Sequence, residues 1–397
     1  MDRRFSASQV LLLTASFLIT LGSFAVLPYM SVLLHERLGL GLPLVGVVLA
    51  MASFVQFSGG VVGAALARRI GLRATMLLAL AVRTVGFACF VPGLGRPWLA
   101  VVALFLVSAG AALYLPANKA HLVAGRPAGE RPRLLAASGS AFNAGIALGP
   151  PAAAPLVLGD PGVLFGAVAV LFALVGAAHL LLPEASDEAS DEASDEPVGG
   201  YAGAARGFAG APFAYTVLAV YVFMFFQHYL ALYAIPRTST GYYGAVLMGY
   251  ALLLVVVQPL LAARTAKLTY GRALRLGFGT MALGLATLAG GGHAWIAAGA
   301  VLICLAEAVL FLRNDLEALT RSTAPPATVF ARQRLAAGLG ASTAALLGAP
   351  LYAATERAGS ASHFWLAASA QAVLLPLLLC LPLTTRPRSP NPTAPHP

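Results

Sequence analysis

The chain has 397 residues, of which 59% are apolar and 10% charged. Soluble proteins average about 45–50% apolar and about 25% charged residues. A single soluble domain cannot hide that much apolar surface, and disorder and a coiled coil are excluded by the same figures. The class that remains is an all-α polytopic membrane protein. Its three cysteines, Cys89, Cys304 and Cys380, stand in apolar runs with no metal-ligand or disulfide spacing. No metal and no cofactor is expected.

A helix that crosses the bilayer needs about 20 apolar residues. Twelve windows meet that need in chain order: 9–34, 43–67, 72–91, 97–118, 134–158, 162–182, 213–235, 242–263, 272–291, 293–313, 331–355 and 361–383. The first begins after Met1-Asp2-Arg3-Arg4 and has no small-residue cleavage site, so it reads as a span and not as a removable signal. Turn chemistry separates the windows, as at Pro92-Gly93-Leu94-Gly95 and Gly159-Asp160-Pro161-Gly162. The thinnest separator is the cluster Gly290-Gly291-Gly292 between windows nine and ten.

Basic residues set the orientation. With the N-terminus inside, twenty of the twenty-five Lys and Arg fall on cytoplasmic segments. Arg37, Arg96, Arg237 and Arg357 fall outside, and Arg83 lies within a span. Both termini are therefore expected in the cytoplasm. The net charge of +10 is then an inner-leaflet signature and not a nucleic-acid footprint.

The segment 183–212 is the one long connection. It repeats Ala-Ser-Asp-Glu three times from Ala185 to Glu196 and holds seven of the fifteen acidic residues. Such a repeat cannot form a core and reads as a solvated tether. Ser186, Ser190 and Ser194 each precede two acids, a pattern also open to phosphorylation or partner binding. The expected layout is a six-helix bundle over 1–182, the linker 183–212, a second bundle over 213–383 and a disordered cytoplasmic tail over 384–397. The halves echo each other at a spacing of 200 residues. Arg69-Ile70-Gly71-Leu72-Arg73 aligns with Thr269-Tyr270-Gly271-Arg272.

These features resemble the major facilitator superfamily, and within it the bacterial multidrug-efflux, drug:proton antiporter members. Residues Leu66-Ala67-Arg68-Arg69-Ile70-Gly71-Leu72-Arg73 are similar to the family's L-A-D-R-x-G-R-K loop, with Arg68 in place of its aspartate. In the family that carboxylate helps latch the cytoplasmic side. Gly145-Ile146-Ala147-Leu148-Gly149-Pro150-Pro151 resembles the antiporter pattern G-x-x-x-G-P-x-x-G-G, with Ala153 and Ala154 replacing the last glycines. Pro116, Asn118 and Glu130-Arg131-Pro132-Arg133 are similar to a third family feature after span four. The resemblance implies two six-span halves, rocking about a central site, with spans one, four, seven and ten lining the cavity. Arg68, Arg69, Gly71, Arg73, Gly145, Gly149 and Pro150 are the expected conformational positions.

An ionisable side chain at mid-membrane is costly unless paired or hydrated. Two lie well inside spans, Arg83 in span three and Glu307 in span ten. Glu307 is the first proton-coupling candidate, since a carboxyl group on a cavity span can take and release a proton as access alternates. It can equally be a hydrogen-bonded structural acid, or reach toward Arg313. His228 on span seven is the second candidate, because histidine titrates near pH 6.5 when unperturbed. Arg83 sits on a peripheral span and reads as a structural charge. Candidate cavity residues are Tyr29, Gln56, Tyr114, Asn143, Tyr221, Phe225, Gln227 and Gln258. Tyr221, Phe225 and Tyr229 recur every four residues and drift slowly round one helix face.

The expected function is secondary transport of a small hydrophobic or amphiphilic compound outward across the bacterial cytoplasmic membrane, in exchange for protons. The expected partners are that small molecule, protons and the lipid bilayer, with no nucleic acid, and a monomer is expected. The alternative on the same fold is a proton-coupled importer or facilitator. A membrane-embedded enzyme is the remote alternative, because no outside acids or histidines have catalytic spacing. No G-x-x-x-x-G-K-[ST] loop is present, which disfavours an ATP-driven pump.

Overall fold

A computed structural model describes residues 5–126, 130–183, 211–322 and 326–380. Among these residues there are helices and connecting turns, and no strand. α1 (Ala7–Val26) opens with a reciprocal capping box. Ser6 Oγ accepts from the Gln9 amide at 3.3 Å, and Gln9 Oε1 accepts from the Ser6 amide at 2.8 Å. Short irregular turns carry α1 on to Arg37. α2 (Leu42–Ser58) bends by 48° at a glycine pair and continues as Gly60–Ile70. Gly71 then turns the chain with a φ of 84°, a conformation open to glycine, so the loop motif needs it there.

The first six helices continue with α3 (Leu72–Gly93), α4 (Pro97–Val123), α5 (Arg131–Ala153) and α6 (Pro161–His179). The second six are α7 (Ala211–Ala234), α8 (Thr240–Lys267), α9 (Tyr270–Leu288), α10 (His293–Arg321), α11 (Pro326–Arg357) and α12 (Ser362–Cys380). Each overlaps one of the twelve windows. The glycine cluster does separate α9 from α10, with Gly291 at a φ of 72°. Among the described residues nine helices are long and apolar enough to cross a membrane, or ten when the bent α2 is one span. α5 and α9 fall outside that test by composition. α5 is built from Gly, Ala, Ser and Pro, and α9 carries Arg272, Arg275 and four glycines. The Ala-Ser-Asp-Glu repeats and residues 381–397 lie outside the described residues.

Packing repeats with a shift of six helices. α1 lies on α5, α3 on α4 and α6, and α2 on α4. Likewise α7 lies on α11, α9 on α10 and α12, and α8 on α10. The main contacts that join the sets are α2 with α11 and α5 with α8, and the same shift exchanges them.

Lipid tails are as apolar as the helices, so helix association depends on close van der Waals packing and small residues. α5 and α11 show this directly. A Cβ on Gly145 would lie 2.6 Å from the Thr20 Cβ and 2.8 Å from the Phe17 carbonyl oxygen. A Cβ on Gly149 would lie 2.8 Å from the Leu21 oxygen. On α11, a Cβ on Gly340 would collide with the Val217 carbonyl oxygen of α7. Thus Gly145 and Gly149 place the α5 backbone directly on the α1 backbone.

Gly149→Val should destabilise the folded protein by about 1–3 kcal/mol through overpacking, read as a lower melting temperature in detergent. Gly166→Ala, at a site with nothing within 4 Å of the new Cβ, should leave the melting temperature unchanged.

Candidate substrate path and coupling site

The two sets of helices meet tightly at one end. The Tyr29 hydroxyl donates to the Pro150 carbonyl at 2.8 Å, and the Tyr243 hydroxyl donates to the Pro28 carbonyl at 3.0 Å. The two rings touch edge to face, with centroids 5.1 Å apart. Tyr29 and Tyr243 are 0% and 1% exposed. Gly244 of α8 packs on Pro150 and Pro151, and Gly46 of α2 packs on Ala345 and Ala349 of α11. Pro150 therefore serves twice: its carbonyl holds Tyr29, and its backbone receives α8.

Toward the other end the sets diverge. α7 packs on Leu27–Val32 beside the tyrosine gate, and Ala7–Val26 makes no comparable packing with α7. Beyond its bend, Gly60–Ile70 leaves α11 and packs on α4 and α3. Lys119 of α4 and Arg334 of α11 lie within electrostatic reach of each other at this mouth. Like charges at that spacing repel each other. Arg68 and Arg69 are exposed at the same end, and Arg68 lines a small cleft with Ala64, Ala67, Pro116 and Ala120. Arg73 donates to the Leu180 carbonyl at 2.6 Å, tying α3 to the end of α6.

Several buried polar groups of the first six helices bond one another, although Arg83 Nε and Ser31 Oγ keep no partner. Arg83, 2% exposed, donates to Ser23 Oγ at 2.5 Å, and its guanidinium carbon lies 4.5 Å from the Phe172 ring centroid. His179 Nδ1 lies 2.7 Å from the Val175 carbonyl, so it carries the proton, and Nε2 accepts from the Tyr114 hydroxyl at 3.0 Å. Asn118 donates to Ser16 Oγ at 2.8 Å, and Ser16 donates to the Leu12 carbonyl. This chain ties α6 to α4 and α4 to α1.

In the second six helices, His228 leans on the Ala341 backbone of α11 and leaves Nε2 buried without a partner. Glu307 leaves Oε2 buried without a partner, and so does the Tyr250 hydroxyl. Arg313 does not reach back to Glu307. It pairs with Glu317 at 2.9 Å, and Arg321 closes on the same carboxylate at 2.6 Å. Both arginines stand over the Tyr270 ring, whose hydroxyl donates to Asn314 Oδ1 at 2.9 Å.

Several candidate cavity residues stand differently from expectation. Tyr29, Tyr114, Tyr221 and Phe225 are enclosed in helix packing, because each ring fills a gap at a helix crossing. Tyr114 bonds His179, Tyr221 donates to Gln371 Oε1, and Phe225 packs edge-on against Phe364. Gln258 is on an exposed face of α8, while Gln56, Asn143 and Gln227 are half-buried. Tyr243 and Tyr250 escaped the sequence reading. Tyr229 stands 200 residues after Tyr29, and each donates to a carbonyl of the helix packed on it, Pro150 of α5 for Tyr29 and Ala345 of α11 for Tyr229.

The family model described as Major Facilitator Superfamily matches residues 12–314. The multidrug resistance protein MdtH of Photorhabdus laumondii is 32% identical over 118 residues, 30% of this chain and 29% of that protein. An uncharacterised MFS-type transporter of Mycobacterium tuberculosis is 32% identical over 184 residues, 46% of this chain and 43% of that protein. The chain thus aligns with less than half the length of these relatives. Among solved structures, the nucleoside transporter NupG superposes with a TM-score of 0.74 at 11% identity, covering 94% of this chain and 98% of that one. The POT family transporter PepTSo gives 0.75 at 13% identity, covering 95% and 97%.

Tyr243→Phe removes the bond between the halves at the gate. Such a bond averages about 0.6 kcal/mol in a membrane, so the gate-open population should rise about threefold. Spin labels on Glu36→Cys and Gly241→Cys should report a longer distance distribution in that variant.

Proposed function

The chain belongs to the Major Facilitator Superfamily, and we propose that it exports a small hydrophobic or amphiphilic compound in exchange for protons. The first statement makes it a multi-pass membrane transporter and not an enzyme. Substrate, direction and coupling are the proposal. One observation carries it: Glu307 and His228, ionisable side chains within spans of the second half, each retain a buried atom without a partner.

A hydrogen-bonded network acts as a brace, because every change of partner costs a hydrogen bond. An unpartnered buried acid is costly to keep and is therefore free to exchange its proton when access alternates. Arg83, held by Ser23 and Phe172, fits a brace. Glu307 fits the coupling group, with His228 as a second proton or substrate contact. The surroundings suit an apolar ligand, since few polar side chains remain to bind a sugar. The names of the MdtH relatives support export of drug-like compounds.

In this reading the two halves are the six-helix bundles before and after the acidic linker, and rock about a site near mid-membrane. The basic ends face the cytoplasm, so the conformation described is closed outside at Tyr29 and Tyr243 and open inside. Arg68 stands where the family loop has its acid. The clamp of Glu317 between Arg313 and Arg321 offers a carboxylate latch in the second half instead.

Everted vesicles with an imposed pH gradient and a fluorescent amphiphilic dye test the proposal. Wild-type protein should accumulate the dye when the vesicle interior is acid. Glu307→Gln should abolish that accumulation while dye binding, read by fluorescence polarisation, persists. Accumulation in right-side-out vesicles driven by an inward proton gradient would reverse the assigned direction.

A further inference from the structure

Glu307 does not stand alone. On α10 its neighbours at the third residue before and the fourth after are Cys304 and Phe311, which share its helix face. The Cys304 thiol donates to the Tyr250 carbonyl of α8 at 3.7 Å. The Phe311 ring meets Phe223 of α7 edge-on, with centroids 5.6 Å apart. Phe223 stacks on the Tyr250 ring at 6.5 Å, and Phe226 lies against the same ring at 5.3 Å. Glu307 is therefore placed where α7, α8 and α10 meet, in a junction walled by aromatic rings. Tyr250 is 7% exposed, and its hydroxyl has no partner.

Two buried polar atoms in one apolar junction, each without a partner, are a pair in waiting. A buried hydroxyl or carboxyl oxygen left unpaired is costly, and a hydrogen bond between the two would satisfy both. Other titratable groups on the packed helices are differently engaged or distant. His228 of α7 leans on α11. Tyr243 of α8 is held at the gate by Pro28. Arg264 and Lys267 of α8 lie about 20 Å or more along the helix from Tyr250, at 1.5 Å per residue. Tyr270 of α9 bonds Asn314, and Arg272 and Arg275 occupy the basic end of α9.

We propose that Tyr250 is the positioning residue for Glu307. Its hydroxyl engages the Glu307 carboxyl in one conformation of the transport cycle and releases it in the one described here. The inference rests on Glu307 as the coupling group. It goes further by naming the residue that decides in which conformation the carboxyl is held. No bond is made or broken beyond the hydrogen bond.

Infrared difference spectra between acid and neutral pH, on the full chain in lipid vesicles, read the protonated carboxyl C=O stretch directly. Comparison with Glu307→Gln assigns the Glu307 band. Tyr250→Phe should move that band to higher frequency, because the carboxyl loses a hydrogen bond, and lower dye accumulation by about three- to fifteenfold. Incorporating 3-fluorotyrosine at position 250 keeps the shape and alters the hydroxyl's donor strength, so it should move the band without changing the melting temperature. A band at the same frequency in wild type, Tyr250→Phe and the fluorinated protein overturns the role of Tyr250 and leaves Glu307 standing. If no band disappears in Glu307→Gln, the coupling reading itself is overturned.

Discussion

Close approach of helix backbones is the interaction on which the rest of the structure depends. In lipid there is no hydrophobic gain from bringing two apolar helices together, so contact area and hydrogen bonds must supply the association. α5 and α11 supply the area. Gly145 and Gly149 put α5 on α1, and Gly340 and Gly348 put α11 on α7. The other flanks of the same two helices receive α8 and α2. Each of these helices thus packs within its own half and across to the other. This double duty explains why α5 is too rich in Gly, Ala and Pro to pass as a span by apolarity. Its faces are spent on protein and not on lipid.

The same geometry places the gate. Pro150 and Pro151 sit where α5 meets α8, and the Pro150 carbonyl accepts both the Ala154 amide at 3.1 Å and the Tyr29 hydroxyl at 2.8 Å. Tyr29 takes the Pro150 carbonyl, and Tyr243 takes the Pro28 carbonyl across the halves. Hydrogen bonds of this kind are individually weak in membranes. A gate made from two of them, a ring contact and glycine packing can hold one conformation without trapping the protein in it. At the opposite end Lys119 and Arg334 face each other. One end is held together by weak bonds, while like charges lie near each other at the opposite end.

Buried polar groups are engaged differently along the chain. Arg83, Tyr114, Asn118 and His179 bond to one another or to nearby serines and carbonyls, while Arg83 Nε and Ser31 Oγ keep no partner. Glu307, Tyr250 and His228 also retain buried atoms without partners. Both halves follow one packing plan, yet the buried carboxyl lies in the second alone among the described residues, so the proposed coupling group has no counterpart in the first.

Low charge and high apolarity, followed along the chain, determined the membrane class and placed each helix, though some limits lay up to eight residues away, as at α10, which runs to Arg321 and not 313. The lipid solvent makes this legible, because a spanning helix must bond its own backbone and show an unbroken apolar run. The motif Gly145–Pro150 was legible as close packing for the same reason. The charge count isolated Arg83 and Glu307 as the ionisable residues deep in the spans. What remained hidden was who meets whom. Tyr29, Tyr114, Tyr221 and Phe225 read alike in sequence, as aromatic residues on central helices. Tertiary packing made one a gate, one the partner of His179, one the partner of Gln371, and the last a wedge against Phe364. Tyr243 and Tyr250 carried no local signal, because their roles come from carbonyls and rings on other helices. Whether a buried polar side chain is a brace or a working group depends on its partners, and in a membrane protein those partners are supplied by the neighbouring helix.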